Sequence, residues 1–155
     1  MNASKTIVRP TLLLCIVYCL ALPLVRSADA APPIPAILQA GLKAYTIGGA
    51  GAAVAAWLKG GPLEGDKIAE TQINEFKEFE KLVGHYRSFE VIETREIGKA
   101  SALFYLSINF ERGASFASFL VYRTPKDWIV QRMEVSKKPE TIMPWLLLGG
   151  RNSQR

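Results

Sequence analysis

The sequence is short of cysteine and histidine. Its two cysteines, Cys15 and Cys19, lie within the first 30 residues, and neither follows the small residue that lipoprotein processing requires. The rest of the chain therefore excludes disulfides, thiol nucleophiles and thiolate metal sites. The one histidine, His85, has no second histidine or paired aspartate at a metal-ligand spacing. We expect no metal site and no cofactor, and we expect stability to come from a packed core.

The sequence also lacks an apolar run long enough to span a membrane. The run from Thr11 to Leu22 has 12 residues, whereas a spanning helix needs about 20. A basic start before this run and the small residues of Ala28-Asp29-Ala30 after it are typical of a signal peptide. We expect residues 1–30 to be cleaved and the protein to be exported, either to a periplasm or outside the cell. Arg26 is atypical, and it leaves open an uncleaved anchor and thus a membrane-associated structural protein.

Neither sign of charge dominates the sequence. Residues 31–155 carry 16 Lys and Arg against 13 Asp and Glu, a net charge of +3. Because the two signs alternate without forming a stripe, they indicate a mixed solvated surface and no nucleic-acid partner. These 125 residues suit a single domain with its own core, followed by a flexible tail from about residue 149.

The glycine- and alanine-rich stretch from Thr46 to Gly61 has three interpretations. It begins like a dinucleotide-binding fingerprint, but Val54 stands where a third small residue is needed and no parallel sheet follows. Its side chains are too small for a spanning helix. We therefore favour a helix packed within a soluble domain, with Val54, Trp57 and Leu58 as its large packing side chains. Small residues four positions apart are predicted to let a neighbouring element approach the helix closely: Gly48, Ala52 and Ala56.

Helix boundaries follow from spacing and from glycine. A short amphipathic helix is predicted near Ala36 to Tyr45, a kink at Gly48-Gly49, and a second helix from Ala50 to Leu58. A longer amphipathic helix is predicted from Ile68 to Val83, with Asp66 as its cap.

After His85 the apolar period changes to two, which predicts strands. Four such runs follow, joined by short connections that contain glycine or proline, and this arrangement favours an antiparallel meander. Helices followed by a four-stranded antiparallel sheet define an α+β fold, with the helices packed on one face of a curved sheet.

The runs "AVAAWLKGGPLEGD", "FEKLVGHYRSFEVI", "ALFYLSINFERGASF" and "FLVYRTPKDWIVQRMEV", with a late "PETIMP", resemble small exported bacterial proteins of the cystatin-like, NTF2-like superfamily. The likeness covers nearly all of the chain after residue 30. It rests on a tryptophan before a Gly-Pro turn, a Gly-x-Tyr entering the sheet and a Tyr-to-Trp hairpin. The resemblance implies a cone-shaped pocket but no particular reaction.

Polar residues at apolar positions mark a candidate site. Glu93 and Arg95 share the parity of the apolar positions of the first strand, which predicts that they point into the interior. The alternatives are that they lie beyond the edge of the core in a twisted strand, or that they pair with each other as same-face neighbours. Gln131 interrupts the apolar side of the last strand, and Tyr122 is placed near the mouth of the cone. The candidate ligand-binding residues are therefore Glu93, Arg95, Gln131 and Tyr122.

These features favour a non-catalytic domain that binds a small apolar ligand or a protein partner. The outward row Tyr105, Ser107 and Asn109 is the candidate surface for a homodimer. The alternative is an enzyme in which Glu93 is a general base and Arg95 stabilises negative charge. A general base there needs a raised carboxylate pKa, which an adjacent arginine lowers.

The last apolar segment, "TIMPWLLLGG", begins at Thr141. It is too short to span a membrane, and we expect it to cap the open edge of the sheet.

Overall fold

The computed structural model describes residues 33–146, apart from the side chain of Leu146. The predicted signal peptide and the tail from about residue 149 lie outside the described residues. The elements, in order, are α1 (Ala36–Leu58), α2 (Lys67–Val83), β1 (Tyr86–Gly98), β2 (Ser101–Phe110), β3 (Gly113–Arg123), β4 (Trp128–Ser136), α3 (Pro139–Ile142) and a 3-10 helix (Pro144–Leu146). No helix in this range combines the length and the apolarity that a bilayer-spanning helix needs.

The strands form one sheet in the order β1-β2-β3-β4, and each neighbouring pair is antiparallel. The predicted α+β fold and meander are therefore confirmed. Alternate residues of β2, such as Phe104, Leu106 and Ile108, are buried in the main core on the face that packs against α1 and α2. We call this the inner face and the opposite one the outer face.

Helix α1 is kinked at Gly49, whose φ of 67° and ψ of −162° are not helical. Only glycine adopts such a conformation without strain, so the predicted break is confirmed. The two halves fold back on each other, since the Trp57 indole donates a hydrogen bond of 3.0 Å to the Leu38 carbonyl. Gly41 permits this approach, because a Cβ there would overlap the indole ring.

The small residues predicted to form the packed face of α1 do not form it. Gly48 is exposed, and Ala52 and Ala56 are only half-buried. The buried small positions are Gly41, Ala50 and Ala53. The predicted packing of the large side chains is confirmed, because Val54, Trp57 and Leu58 are buried.

Helix α2 has the predicted ends. The Asp66 carboxylate accepts a 2.9 Å hydrogen bond from the Ile68 amide, and Gly84 ends the helix with a φ of 87°. Phe76 and Phe79 are the buried residues of the helix, and they hold it against the inner face of the sheet.

Two β-bulges reverse the side-chain parity predicted for the outer strands. In β1, Val91 pairs with Leu106 and Glu93 with Tyr105, so Ile92 is an extra residue. Because side chains alternate strictly on either side of a bulge, Glu93 turns to the outer face, and with it Arg95. The prediction that they point into the interior is wrong, whereas the alternative of a same-face pair is confirmed.

The second bulge lies in β4. Val130 pairs with Val121 and Arg132 with Leu120, which leaves Gln131 without a partner position. Gln131 is exposed at this bulge on an edge strand, so it does not interrupt an apolar inner row as predicted.

The segment from Pro139 to Trp145 lies against the outer face of the sheet. Ile142 and Met143 are buried there with Tyr105, and the Trp145 ring packs edge-on at 4.9 Å from the Tyr105 ring. Since this segment covers the face, the expectation that it caps an open edge is wrong for its described part.

Candidate functional site

Glu93 and Arg95 form an ion pair on the outer face. The Arg95 Nε donates a 2.5 Å hydrogen bond to the Glu93 carboxylate, and this bond raises the pKa of Arg95. The Arg95 guanidinium carbon also lies 4.0 Å from the ring centroid of Trp145, a cation–π arrangement. Both groups are accessible to water, with side-chain exposures of 33% for Glu93 and 46% for Arg95.

The other two predicted ligand residues lie elsewhere on the sheet. Tyr122 pairs with Ser101 and Ile129 on the outer face and is 38% exposed. Gln131 stands at the bulge of β4. The structure brings Glu93 and Arg95 together, but it does not gather the four candidate residues into one pocket.

The predicted partner row does lie on the outer face, but its first residue is covered. Tyr105 is 6% exposed because Ile142, Met143 and Trp145 pack against it. The other two are hydrogen-bonded within the sheet: the Ser107 hydroxyl donates to the Asn109 side-chain Oδ1 at 2.7 Å, and the Asn109 side-chain Nδ2 donates to the Glu90 carboxylate at 3.0 Å.

The strongest candidate site is a cavity on the inner side of the sheet, between α2 and the end of β4. Its volume is about 600 Å³, and most of the surface that lines it is apolar, although eight of its eleven lining residues have polar or charged side chains. Three core side chains form its floor: Phe76, Phe79 and Val135. Cavities of this size that combine apolar surface with polar groups commonly bind small ligands.

Ser115 is the polar residue beneath this cavity. It lines the cavity from the inner face of β3, where it pairs with Ile108, and it is 1% exposed. Its hydroxyl has no hydrogen-bond partner among residues 33–146. A buried hydroxyl without a partner costs roughly 1–3 kcal/mol of folding free energy. A ligand atom that reached this hydroxyl would supply the missing hydrogen bond.

Charged side chains border the cavity on both sides. Lys137 and Lys138 follow β4, while Glu75 and Glu78 lie on α2. Glu78 accepts a hydrogen bond of 2.6 Å from Lys81, and this bond lowers the pKa of Glu78. The Lys137 ammonium lies 5.5 Å from the Phe79 ring centroid, which places a cation next to the aromatic floor.

A second cavity, of about 590 Å³, lies between the start of α1 and β1. Two of its polar lining groups are paired within the chain: Thr46 donates to the Leu42 carbonyl at 3.4 Å, and Gln39 donates to the Ile34 carbonyl at 2.8 Å. Among the described residues that line it, none has a buried polar atom without a partner, as Ser115 does in the cavity beside α2.

His85 is exposed at the junction of helix and sheet. No group of three or more histidine, aspartate or glutamate side chains that could hold a metal occurs in the described part of the chain.

The alternation of side chains along β3 could have identified Ser115 as a candidate from the sequence alone. In β3, Ser115 shares its parity with Ala117, Phe119 and Val121, which are buried on the inner face. A serine on an apolar row is the same signal that drew attention to Gln131. Lys137 and Lys138 carried no such signal, because they lie beyond the end of a strand.

No protein-family model matches the sequence. No curated protein matches it either. Among solved structures, the chain is similar to a domain of unknown function with a cystatin-like fold from Nostoc punctiforme PCC 73102, determined at 2.00 Å resolution. The two chains are 18% identical with a TM-score of 0.46, and the match covers 74% of this chain and 80% of the other.

Proposed function

We propose that this protein is an exported, non-catalytic domain that binds a small, mainly apolar ligand in the cavity between α2 and β4. The observation that carries the proposal is Ser115, which lines the cavity beside Phe76 and Phe79 and whose buried hydroxyl has no partner in the described part of the chain. Export is supported by the signal-like composition of residues 1–30, with its basic start, apolar run and small residues.

Four side chains of the described residues, among them Tyr45, have a buried polar atom without a partner, and Ser115 is the one that lines this cavity. Alanine at this position would pack on the same inner face without leaving an unsatisfied hydroxyl, so serine weakens the isolated fold. A binding site accounts for such a cost, because the hydroxyl gains its hydrogen bond when the ligand is present.

The position of Glu93 disfavours the alternative function, in which it is a general base. A general base at neutral pH needs an apolar environment that raises its pKa, whereas Glu93 lies on the outer face beside the Arg95 guanidinium. Glu93 is also absent from the lining of the cavity next to α2.

A bulky residue at the mouth of the cavity tests the proposal. Asn74 is exposed on α2 and lines the cavity, so Asn74→Trp blocks the mouth without disturbing the core. Lys77→Trp is the matched control, since Lys77 is exposed on the same helix but does not line the cavity.

We expect native mass spectrometry of protein purified from the exported fraction to show a retained small molecule in the wild type and in Lys77→Trp. Asn74→Trp should give the mass of the apoprotein. A wild-type protein without any retained molecule, or equal retention by both variants, would contradict the proposal. Recovery of the wild type only with membranes would contradict export as a soluble domain.

A second candidate function is self-association through the outer face. Beside the segment that covers Tyr105, three apolar residues are only half-buried and one aromatic residue is exposed: Leu103, Leu120, Ile129 and Tyr122. A second copy of the chain would bury this row. In light scattering, Leu120→Glu should lower the mass from dimer to monomer, while Gln131→Glu at the nearby bulge should not. A monomeric wild type at high concentration would exclude this function.

A further inference from the structure

We infer that the ligand of the cavity beside α2 is an amphipathic anion, with an apolar body and a carboxylate or similar acidic head. This inference rests on the proposed function, because it names the ligand class of the same site. The apolar body would lie against the floor formed by Phe76, Phe79 and Val135. The acidic head would lie at the β4 side of the mouth, where Lys137 and Lys138 border the cavity. Phe116 pairs with Ser136, so Ser115 comes opposite Lys137 at the next position, and the same head would supply the hydrogen bond that the Ser115 hydroxyl lacks.

The balance of available charge favours an anion. Glu78 is already paired with Lys81, which leaves Glu75 as the acidic lining residue outside an ion pair in the described chain. Neither Lys137 nor Lys138 forms an ion pair with a residue that the structure describes. The lining itself carries two lysines and two glutamates, and Lys81, as the partner of Glu78, makes the charge around the mouth net positive for an incoming anion.

The position of Lys137 links the charged rim to the apolar floor. Its ammonium group lies 5.5 Å from the centroid of the Phe79 ring, so one ligand can contact the ring with its body and the ammonium with its head. A hydrogen bond from an ammonium group to a carboxylate is charge-assisted and stronger than one between neutral groups. A neutral ligand of the same shape would leave this interaction unused.

Three probes with the same apolar chain separate the head-group classes: dodecanoate, dodecanol and dodecylamine. In isothermal titration calorimetry at neutral pH, the ionic probes are used below their micelle concentrations and dodecanol below its solubility limit, with wild-type protein that has been stripped of retained molecules. We expect dodecanoate to bind at least about fivefold more tightly than dodecanol, the factor that corresponds to a partly exposed ion pair. Dodecylamine should bind most weakly.

Lysine variants assign the effect to the rim. Lys137→Gln should weaken dodecanoate by about fivefold and leave dodecanol unchanged, because it removes one ion pair without altering the floor. Lys137→Arg should restore most of the affinity. Lys126→Gln is the control, since Lys126 is an exposed lysine in the turn between β3 and β4 and does not line the cavity. Both sites are exposed, so we expect the three variants to fold, and circular dichroism checks this.

The outcomes separate this inference from the proposed function. Equal affinity for dodecanoate and dodecanol, or tighter binding of dodecylamine, would overturn the anion and leave the cavity as an apolar site. Loss of dodecanoate binding in Lys126→Gln equal to that in Lys137→Gln would also overturn it. If none of the three probes binds, and the purified protein retains no molecule, the proposed function itself fails.

Discussion

The Trp57 indole donates a hydrogen bond of 3.0 Å to the main-chain carbonyl of Leu38, a residue 19 positions earlier in the same helical segment. A straight helix would separate the two residues by about 28 Å, at roughly 1.5 Å per residue. The kink at Gly49 makes the contact geometrically feasible, and the missing side chain of Gly41 makes room for the ring. The stretch that superficially suggests a nucleotide loop is thus a folded-back helix that carries part of the core.

Gly41→Ala should destabilise the protein. The added Cβ would overlap the Trp57 ring, and overpacking of this kind costs about 1–3 kcal/mol. Gly51→Ala in the same helix is the matched control, because nothing lies within 4 Å of its added Cβ and alanine is the better helix former by about 0.8–1.0 kcal/mol. Urea unfolding should therefore move in opposite directions for the two variants. A gain of stability in Gly41→Ala would show that the indole does not lie where the structure places it.

Tyr45 should make the fold sensitive to alkaline pH. Burial raises the pKa of its phenol above the ordinary value of 10.0, and the nearby Glu80 carboxylate raises it further, although at a geometry short of a hydrogen bond. Above about pH 10 the unfolded chain therefore loses this proton while the folded chain retains it, so stability falls as the pH rises. The loss for one group is at most about 1.4 kcal/mol per pH unit.

Tyr45→Phe tests this directly. The variant lacks the titrating group and also the buried hydroxyl, so its stability should equal or exceed that of the wild type at pH 7. The difference should widen between pH 10 and pH 11. A constant difference in the free energy of unfolding across that range would contradict the buried phenol.

Ser115→Ala should separate stability from binding. Without ligand, the variant should be as stable as the wild type or more stable by up to about 1–3 kcal/mol, since it removes an unsatisfied buried hydroxyl. Its affinity for the ligand should fall, because the ligand then has no hydroxyl to pair with. Thermal unfolding and calorimetric titration on the same samples measure the two effects. A loss of stability without any change in affinity would assign Ser115 to packing alone.

Trp145 should contribute more to stability than the ion pair beside it. Its ring packs on Tyr105 and under the Arg95 guanidinium, so Trp145→Ala removes both contacts and uncovers the outer face. Arg95→Ala removes an exposed ion pair and a cation–π contact, which together contribute on the order of 1 kcal/mol. Chemical unfolding should rank Trp145→Ala as the more damaging change. The reverse order would mean that the pair, and not the ring, holds the segment on the sheet.

The helices, the meander and the fold class could be predicted because periodicity, capping residues and glycine act locally. Asp66 and Gly84, for example, mark the ends of α2 by their own chemistry. The site could not be predicted in the same way. Alternation along a strand assigns each side chain to a face of the sheet, and an extra residue in the strand reverses that assignment. Ile92 and Gln131 are such residues, and neither is the glycine that commonly marks a bulge. A single inserted residue moved Glu93 from the interior to the outer face.

The position of a bound ligand tests the account most directly. In a heteronuclear NMR titration with dodecanoate, we expect the amide shifts to concentrate at Ser115, at Lys137 and along the cavity side of α2. The amides of Glu93 and Tyr122 on the outer face should remain unchanged. Shifts that concentrate at Glu93 and Tyr122, with Ser115 and Lys137 unaffected, would contradict a ligand site between α2 and β4.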